Sequence, residues 1–128
     1  MKNKLKQLIL EQSEKLLEMA DRIFDNPEYD GEEVFASGLL EDYLERNGFQ
    51  VERGLGSWDT AFRAVWRNGE GGPRIGLLCE YDALRKLGHG CGHHMQGPAI
   101  CGTAVALKNA GIQEPSRRGQ AVLGRQFT

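Results

Sequence analysis

The sequence predicts an α/β fold, and three stretches carry that reading. They are an amphipathic helical start, a nearly continuous apolar run ending at Cys79, and a helix of small residues beyond a glycine-rich loop. A chain of 128 residues has the size of one domain around one hydrophobic core and is too short for a large two-domain enzyme. Its 40% hydrophobic and 27% charged content is that of a globular chain, too apolar for one disordered throughout.

Leu5, Leu8, Ile9, Leu16, Met19, Ala20, Ile23 and Phe24 recur at three- and four-residue steps with Lys and Glu between them, which predicts one amphipathic helix ending before Pro27. A second helix starts near Asp30, whose carboxylate caps it, with Glu32 and Glu33 in the first turn complementing the dipole. Phe35, Leu39, Leu40, Tyr43 and Leu44 form its buried stripe, and Gly48 is its left-handed stop. Phe49-Gln-Val51 reads as a short strand, and after a Gly54 to Ser57 loop the alternation from Ala61 to Trp66 predicts another. Asn68 to Pro73 is a turn signal. Arg74-Ile-Gly-Leu-Leu-Cys79 is an apolar run between breakers, the pattern of a central strand covered on both faces. From about Pro98 the apolar and small residues through Leu107 predict a helix that closes near Gly111 and packs closely on a sheet. The polar, basic stretch from Gln113 to Thr128 reads as a weakly ordered tail, dividing the chain into 1–112 and 113–128.

With 16 Lys+Arg against 18 Asp+Glu, the net charge of -2 gives no field that recruits nucleic acid or an anionic membrane. No stretch is long enough to span a bilayer, and the basic start is not followed by an unbroken apolar segment of a leader peptide. Cys79, Cys91 and Cys101 make an odd number without a small secreted framework, so reduced thiols and a cytoplasmic location are expected.

The chemistry concentrates in one place. Glu80, Asp82, His89, Cys91, His93 and His94 fall just past the predicted central strand, where open α/β sheets present ligand-binding groups. A Cys and a His separated by one glycine can turn toward one divalent ion, because the glycine opens backbone conformations closed to other residues. Asp82 can orient an imidazole or bridge two ions, and mixed N, S and O donors suit zinc, manganese, cobalt or nickel better than calcium. A structural cluster of buried thiol and hydrogen-bonded imidazoles fits the same spacing, and so does a Cys91 nucleophile activated by His89 or His93. Cys79 and Cys101, set among apolar and small residues, read as packing. Gly88-His-Gly-Cys-Gly fails as a dinucleotide fingerprint because His93 stands where the third glycine is needed, and no Gly-Lys-Ser/Thr forms a phosphate loop.

Leu77-Leu-Cys-Glu-Tyr-Asp-Ala-Leu84 together with Gly88-His-Gly-Cys-Gly-His93 resembles the zinc-dependent amidohydrolase family of aminoacylases, carboxypeptidase-like peptidases and p-aminobenzoyl-glutamate hydrolases. The likeness runs from the N-terminal helix to about Ala110. It implies the N-terminal portion of a three-layer α/β/α zinc-peptidase-like catalytic domain, with two N-terminal helices, then strands and a helix. It implies further that Cys91 and His93 are metal ligands and Asp82 the catalytic carboxylate beside them, with His89 in the same motif; His89, His94 and Glu80 are candidates for the shell around these ligands. The implied cofactor is a divalent metal, zinc first and manganese, cobalt or nickel next, weakly held here. The implied reaction is hydrolysis of the amide of an N-acyl amino acid or short peptide by metal-activated water, with a glutamate as general base.

Arg85 replaces the family's usual proline, and His94 its commoner Asn or Asp. The Pro-Ala-Glu-Glu stretch that carries the general base in the family does not occur in these 128 residues. The expectation is therefore a truncated, inactive member. Its alternative is a non-catalytic metal-binding remnant or interaction module that works with a second polypeptide, a missing C-terminal half or another copy.

Overall fold

The computed structural model describes residues 1–67 and 75–111. The expected turn at Asn68 to Pro73 and the tail from Gln113 lie outside the described residues, as does Arg74 at the head of the predicted central strand. Four helices and a hairpin follow in the order α1 (Lys2–Glu11), α2 (Ser13–Asp25), α3 (Val34–Arg46), β1 (Gln50–Leu55), β2 (Trp58–Val65) and α4 (His93–Asn109).

The single N-terminal helix expected from the apolar period is two helices, broken at Gln12. Its N–H bonds the Ile9 carbonyl at 3.0 Å, a tightened turn that ends α1 while its dihedrals stay right-handed. The apolar period is blind to such a break. The Gln12 side chain makes it worthwhile: its amide donates to Leu8 O at 3.0 Å and Gly102 O at 3.2 Å, and its carbonyl accepts from the Tyr43 hydroxyl. Leu16, Met19, Ala20 and Ile23 on α2 are buried, whereas α1 buries no residue and Phe24 is half exposed.

The α1–α2 pair runs antiparallel to α4. Lys4 Nζ donates to Ala110 O at 3.1 Å, Leu16 meets Gly102, and Phe24 meets the His94 ring. Small residues permit this approach: a Cβ on Gly102 would lie 2.5 Å from Leu16 Cδ1, and one on Gly97 2.7 Å from Leu40 Cδ1. α4 starts five residues before the predicted Pro98, which now sits inside the helix. Burial of Gly97 and Pro98 against the core outweighs the lost N–H of the proline.

α3 ends at Arg46, with Gly48 at φ +89° as predicted. Its start differs. Asp30 is not the cap; the Glu28 carboxylate accepts from Phe35 N and Ala36 N, both at 2.8 Å. Glu33, fully buried, instead accepts from Gly31 N at 3.1 Å and Thr60 Oγ1 at 2.7 Å.

β1 and β2 pair antiparallel from Gln50↔Val65 to Leu55↔Trp58, with an irregularity between Arg53 and Leu55. β1 extends into the loop expected at Gly54 to Ser57, and β2 begins directly after it at Trp58, three residues before the expected Ala61. Arg53 ties the hairpin to α3 through Glu41 at 2.8 Å, Glu45 at 2.9 Å and Asp42 at 3.3 Å. Burial pushes the Glu41 carboxyl up, and Arg53 opposes that push.

The run 75–79 is no paired strand among the described residues, and it is not covered on both faces. Cys79 and Tyr81 point into the core while Ile75 and Leu78 stay 53% and 64% exposed. No described strand pairs with it, and its packed side faces β2, with the Phe62 and Tyr81 rings stacked at 6.0 Å. Met19, Ile23, Leu40, Leu44, Phe62, Cys79, Tyr81, Cys101 and Val105 form one core. No described helix is long and apolar enough to cross a membrane.

Two stability measurements test this packing. Gly102→Ala forces its methyl into Leu16 and should lower urea-unfolding stability by about 1–3 kcal/mol; in a Leu16→Ala background the penalty should vanish, because alanine is the better helix former. Burial raises the Cys79 thiol from its ordinary 9.0 to about 12, so the folded state holds that proton longer than the unfolded chain. Stability should therefore fall as pH rises from 9.0 toward about 12, and less steeply in Cys79→Ala, as read from urea midpoints across that range.

Candidate metal centre

Glu80 and Asp82 alternate with inward-facing Cys79, Tyr81 and Ala83, so strand-like alternation alone puts both carboxylates on the outer side. The segment is pinned at both ends of this pair. Ala83 N donates to Glu28 O at 2.7 Å, Glu80 N to the Gln96 side chain on α4, and the Tyr81 hydroxyl to Thr60 O. Opposite them, Gly92 takes φ +89° at the N-cap of α4, a left-handed conformation that lets the loop turn straight into the helix. His93 is therefore the first helical residue, held over the carboxylates.

The imidazole is bracketed. His93 Nε2 lies 2.9 Å from Glu80 Oε2, and Nδ1 lies 2.9 Å from Asp82 Oδ1 and 3.2 Å from Asp82 O. All three side chains are about a quarter exposed, open to an entering ligand yet partly desolvated. One ligand atom from each comes within 4.8 Å of the others. A neutral imidazole carries one ring proton and can donate to only one of two carboxylates. With Nδ1–H given to Asp82, the Nε2 lone pair and the Glu80 carboxylate face each other and share a place for a divalent cation. That is the carboxylate–histidine–metal arrangement in which the outer carboxylate fixes the tautomer. The residues fit a metal. Asp82 also lies within reach of Asp30 and Glu33, a second group of three carboxylates with ligand atoms within 4.8 Å of one another.

The structure thus joins Glu80, Asp82 and His93, and sets the other candidates apart. Cys91 is exposed on the loop, two residues from His93, and is not in either group. His89 is 5% exposed, and His94 packs edge-on against Phe24 at 5.0 Å with the His89 ring 5.4 Å away. Among the described residues, neither ring nitrogen of His89 nor Nδ1 of His94 has a close hydrogen-bond partner, although the Ile23 backbone approaches His89. Burial, with His94 and His93 close by, holds His89 below its ordinary value. Asp30 and Glu33 carried a different meaning in the sequence, as helix-start residues; nothing in their spacing signals that the chain returns to them at Asp82.

No protein-family model matches the chain. Among curated proteins, a subunit of the p-aminobenzoyl-glutamate hydrolase of Escherichia coli is 39% identical across 71% of this chain and 22% of its own length. Xaa-Arg dipeptidase of Mus musculus is 35% identical across 86% of this chain and 27% of its own length. The chain belongs to this peptidase and amidohydrolase family. It spans about a quarter of the length of these relatives. Two solved structures agree on the fold. One, an aminohydrolase of methicillin-resistant Staphylococcus aureus, superposes with TM-score 0.76 at 16% identity, over 96% of this chain and 34% of that one. The other, a dinuclear metal-binding peptidase of the M20 family from Bacillus subtilis, gives 0.73 at 21% identity, over 92% of this chain and 35% of that one. Four helices and a hairpin are the N-terminal portion of the family's α/β fold.

Thiol chemistry separates the three cysteines. One thiol, Cys91, should react with a colorimetric disulfide reagent in the folded chain at neutral pH, and all three after denaturation. Loss of the native equivalent in Cys91→Ser checks the assignment.

Proposed function

We propose that this chain provides the metal-holding portion of a metal-dependent amidohydrolase, acting on the amide of an N-acyl amino acid or short peptide. The observation that carries the reading is the His93 imidazole set between Glu80 and Asp82 at 2.9 Å on each side, at the start of a helix. The curated relatives are a hydrolase of p-aminobenzoyl-glutamate and a dipeptidase. Both p-aminobenzoyl-glutamate and a dipeptide carry an amide bond beside an amino acid.

A bound zinc, or manganese, cobalt or nickel in its place, would supply a polarised amide carbonyl and a water acidic enough to attack it. The work of this chain is to hold and orient. His93 offers Nε2 and Glu80 an oxygen, while Asp82 takes the Nδ1 proton and keeps the ring from rotating. Cys91, on the same loop, is the thiolate donor implied by the family motif, and the glycines on both sides of it give the loop the freedom to bring it in. A catalytic zinc ordinarily has three protein donors, so loss of any one weakens the site. The general-base glutamate of the family motif has no counterpart in these residues, so this chain alone is inactive in our reading.

A second reading, a non-catalytic partner for another polypeptide, is favoured by one observation. The outer side of 75–79 leaves Ile75 and Leu78 uncovered beside the site.

Calorimetric titration of the chain with zinc and cobalt should show saturable binding, weakened at least about tenfold by His93→Ala and by Glu80→Gln. Absence of binding would remove the metal centre. With zinc, cobalt or manganese added, an N-acyl amino acid should remain uncleaved; turnover that disappears in Cys91→Ala would overturn the inactive assignment and leave the metal assignment standing.

A further inference from the structure

A groove of about 380 Å³ runs between α2 and α3 and shares no residue with the candidate metal centre. Val34, Phe35 and Leu39 supply its accessible apolar lining over the buried Met19, and Lys15, Arg22 and Arg46 bring three positive charges to it. The lining holds one carboxylate, Asp42, and Arg53 engages it at 3.3 Å. Lys15 and Arg22 share Glu18 at 3.4 and 3.9 Å, with the Arg22 guanidinium 5.3 Å from the Phe35 ring centroid. Arg46, in the last turn of α3, has no ion-pair partner among the described residues. With Lys15 and Arg22 on Glu18 and Asp42 on Arg53, Arg46 is the cation of the lining left to meet an anion beside the apolar surface.

Gly38 is the second observation. A glycine inside a helix costs stability relative to alanine, and each such residue calls for a packing reason. Gly97 and Gly102 have theirs in the close approach of Leu40 and Leu16, whereas a Cβ on Gly38 would meet nothing within 4 Å. Gly38 instead lines the groove, where the missing side chain leaves space open.

We propose that this groove binds a small apolar monocarboxylate, with its hydrocarbon body against Val34, Phe35 and Leu39 and its carboxylate on the Arg46 guanidinium. The volume lies in the range of small-molecule sites, about 300–1,000 Å³. Guanidinium meets carboxylate in a two-pronged, charge-assisted hydrogen bond, which gives the anion preference over a neutral molecule of equal size. The proposal stands apart from the amidohydrolase reading, since the two sites have no residue in common.

The test is an NMR titration of the isotopically labelled chain with 4-phenylbutanoate and, separately, with its neutral amide. The acid should give saturable shifts confined to α2 and α3, with affinity at least about tenfold above that of the amide. Arg46→Gln, at an exposed position, should remove most of that difference and leave amide binding unchanged. Gly38→Leu should fill the groove and abolish binding while far-UV circular dichroism shows the helices intact. No saturable shift, equal affinity for acid and amide, or unchanged acid binding in Arg46→Gln would overturn the proposal.

Discussion

Everything near the candidate site hangs on one residue of the loop between α2 and α3. Glu28 uses its carboxylate to satisfy the first free amides of α3, and its own backbone carbonyl to hold Ala83, the residue after Asp82. A helix start left without partners inside a fold is costly, and so is a loop carbonyl turned away from water. Here the two needs are met by the two ends of a single glutamate. The position of the Asp82 carboxylate is thereby fixed relative to α3, while the position of His93 is fixed through α4.

The geometry of the candidate metal centre follows from that double anchoring. α4 packs against α2 through Gly102 and against α3 through Gly97, so its first turn is set by helix contacts along its length rather than by the loop preceding it. The N-terminal end of α4 carries partial positive charge, which favours Glu80 and Asp82 facing it. The loop from Leu84 to Gly92 is then free to be glycine-rich without blurring the site, because both flanks are held independently. Cys91 lies on that freer part, and this explains why a donor so close in sequence stands apart from His93 in the fold.

Much of the fold was legible in the sequence. The α2 and α3 stripes, the Gly48 stop and the helical nature of the last segment follow from period and punctuation, which are local properties. What was not legible depends on contacts made far along the chain. Gln12 breaks a helix because Gly102 and Tyr43 offer partners, and Glu28 takes the place expected of Asp30 because its longer side chain reaches the amide of Phe35, seven residues ahead. Residues 75–79 have the composition of a strand buried on both sides, yet composition cannot state whether a neighbouring strand is there. The site itself was partly visible: His93 and Asp82 came from the motif, whereas the part played by Glu80 depended on the alternation of an extended segment and on Gln96 holding its amide.

Gln12 also makes the bundle sensitive to chemical ageing. Its side-chain nitrogen is a donor to two carbonyls, on α1 and α4, and its oxygen receives the Tyr43 hydroxyl from α3. Hydrolysis of that amide to a carboxylate would replace the donor by an oxygen and set like-signed dipoles face to face at the junction of three helices. A change of one atom type, invisible to hydrophobic pattern, would thus loosen the joint through which α1 holds to the rest of the protein.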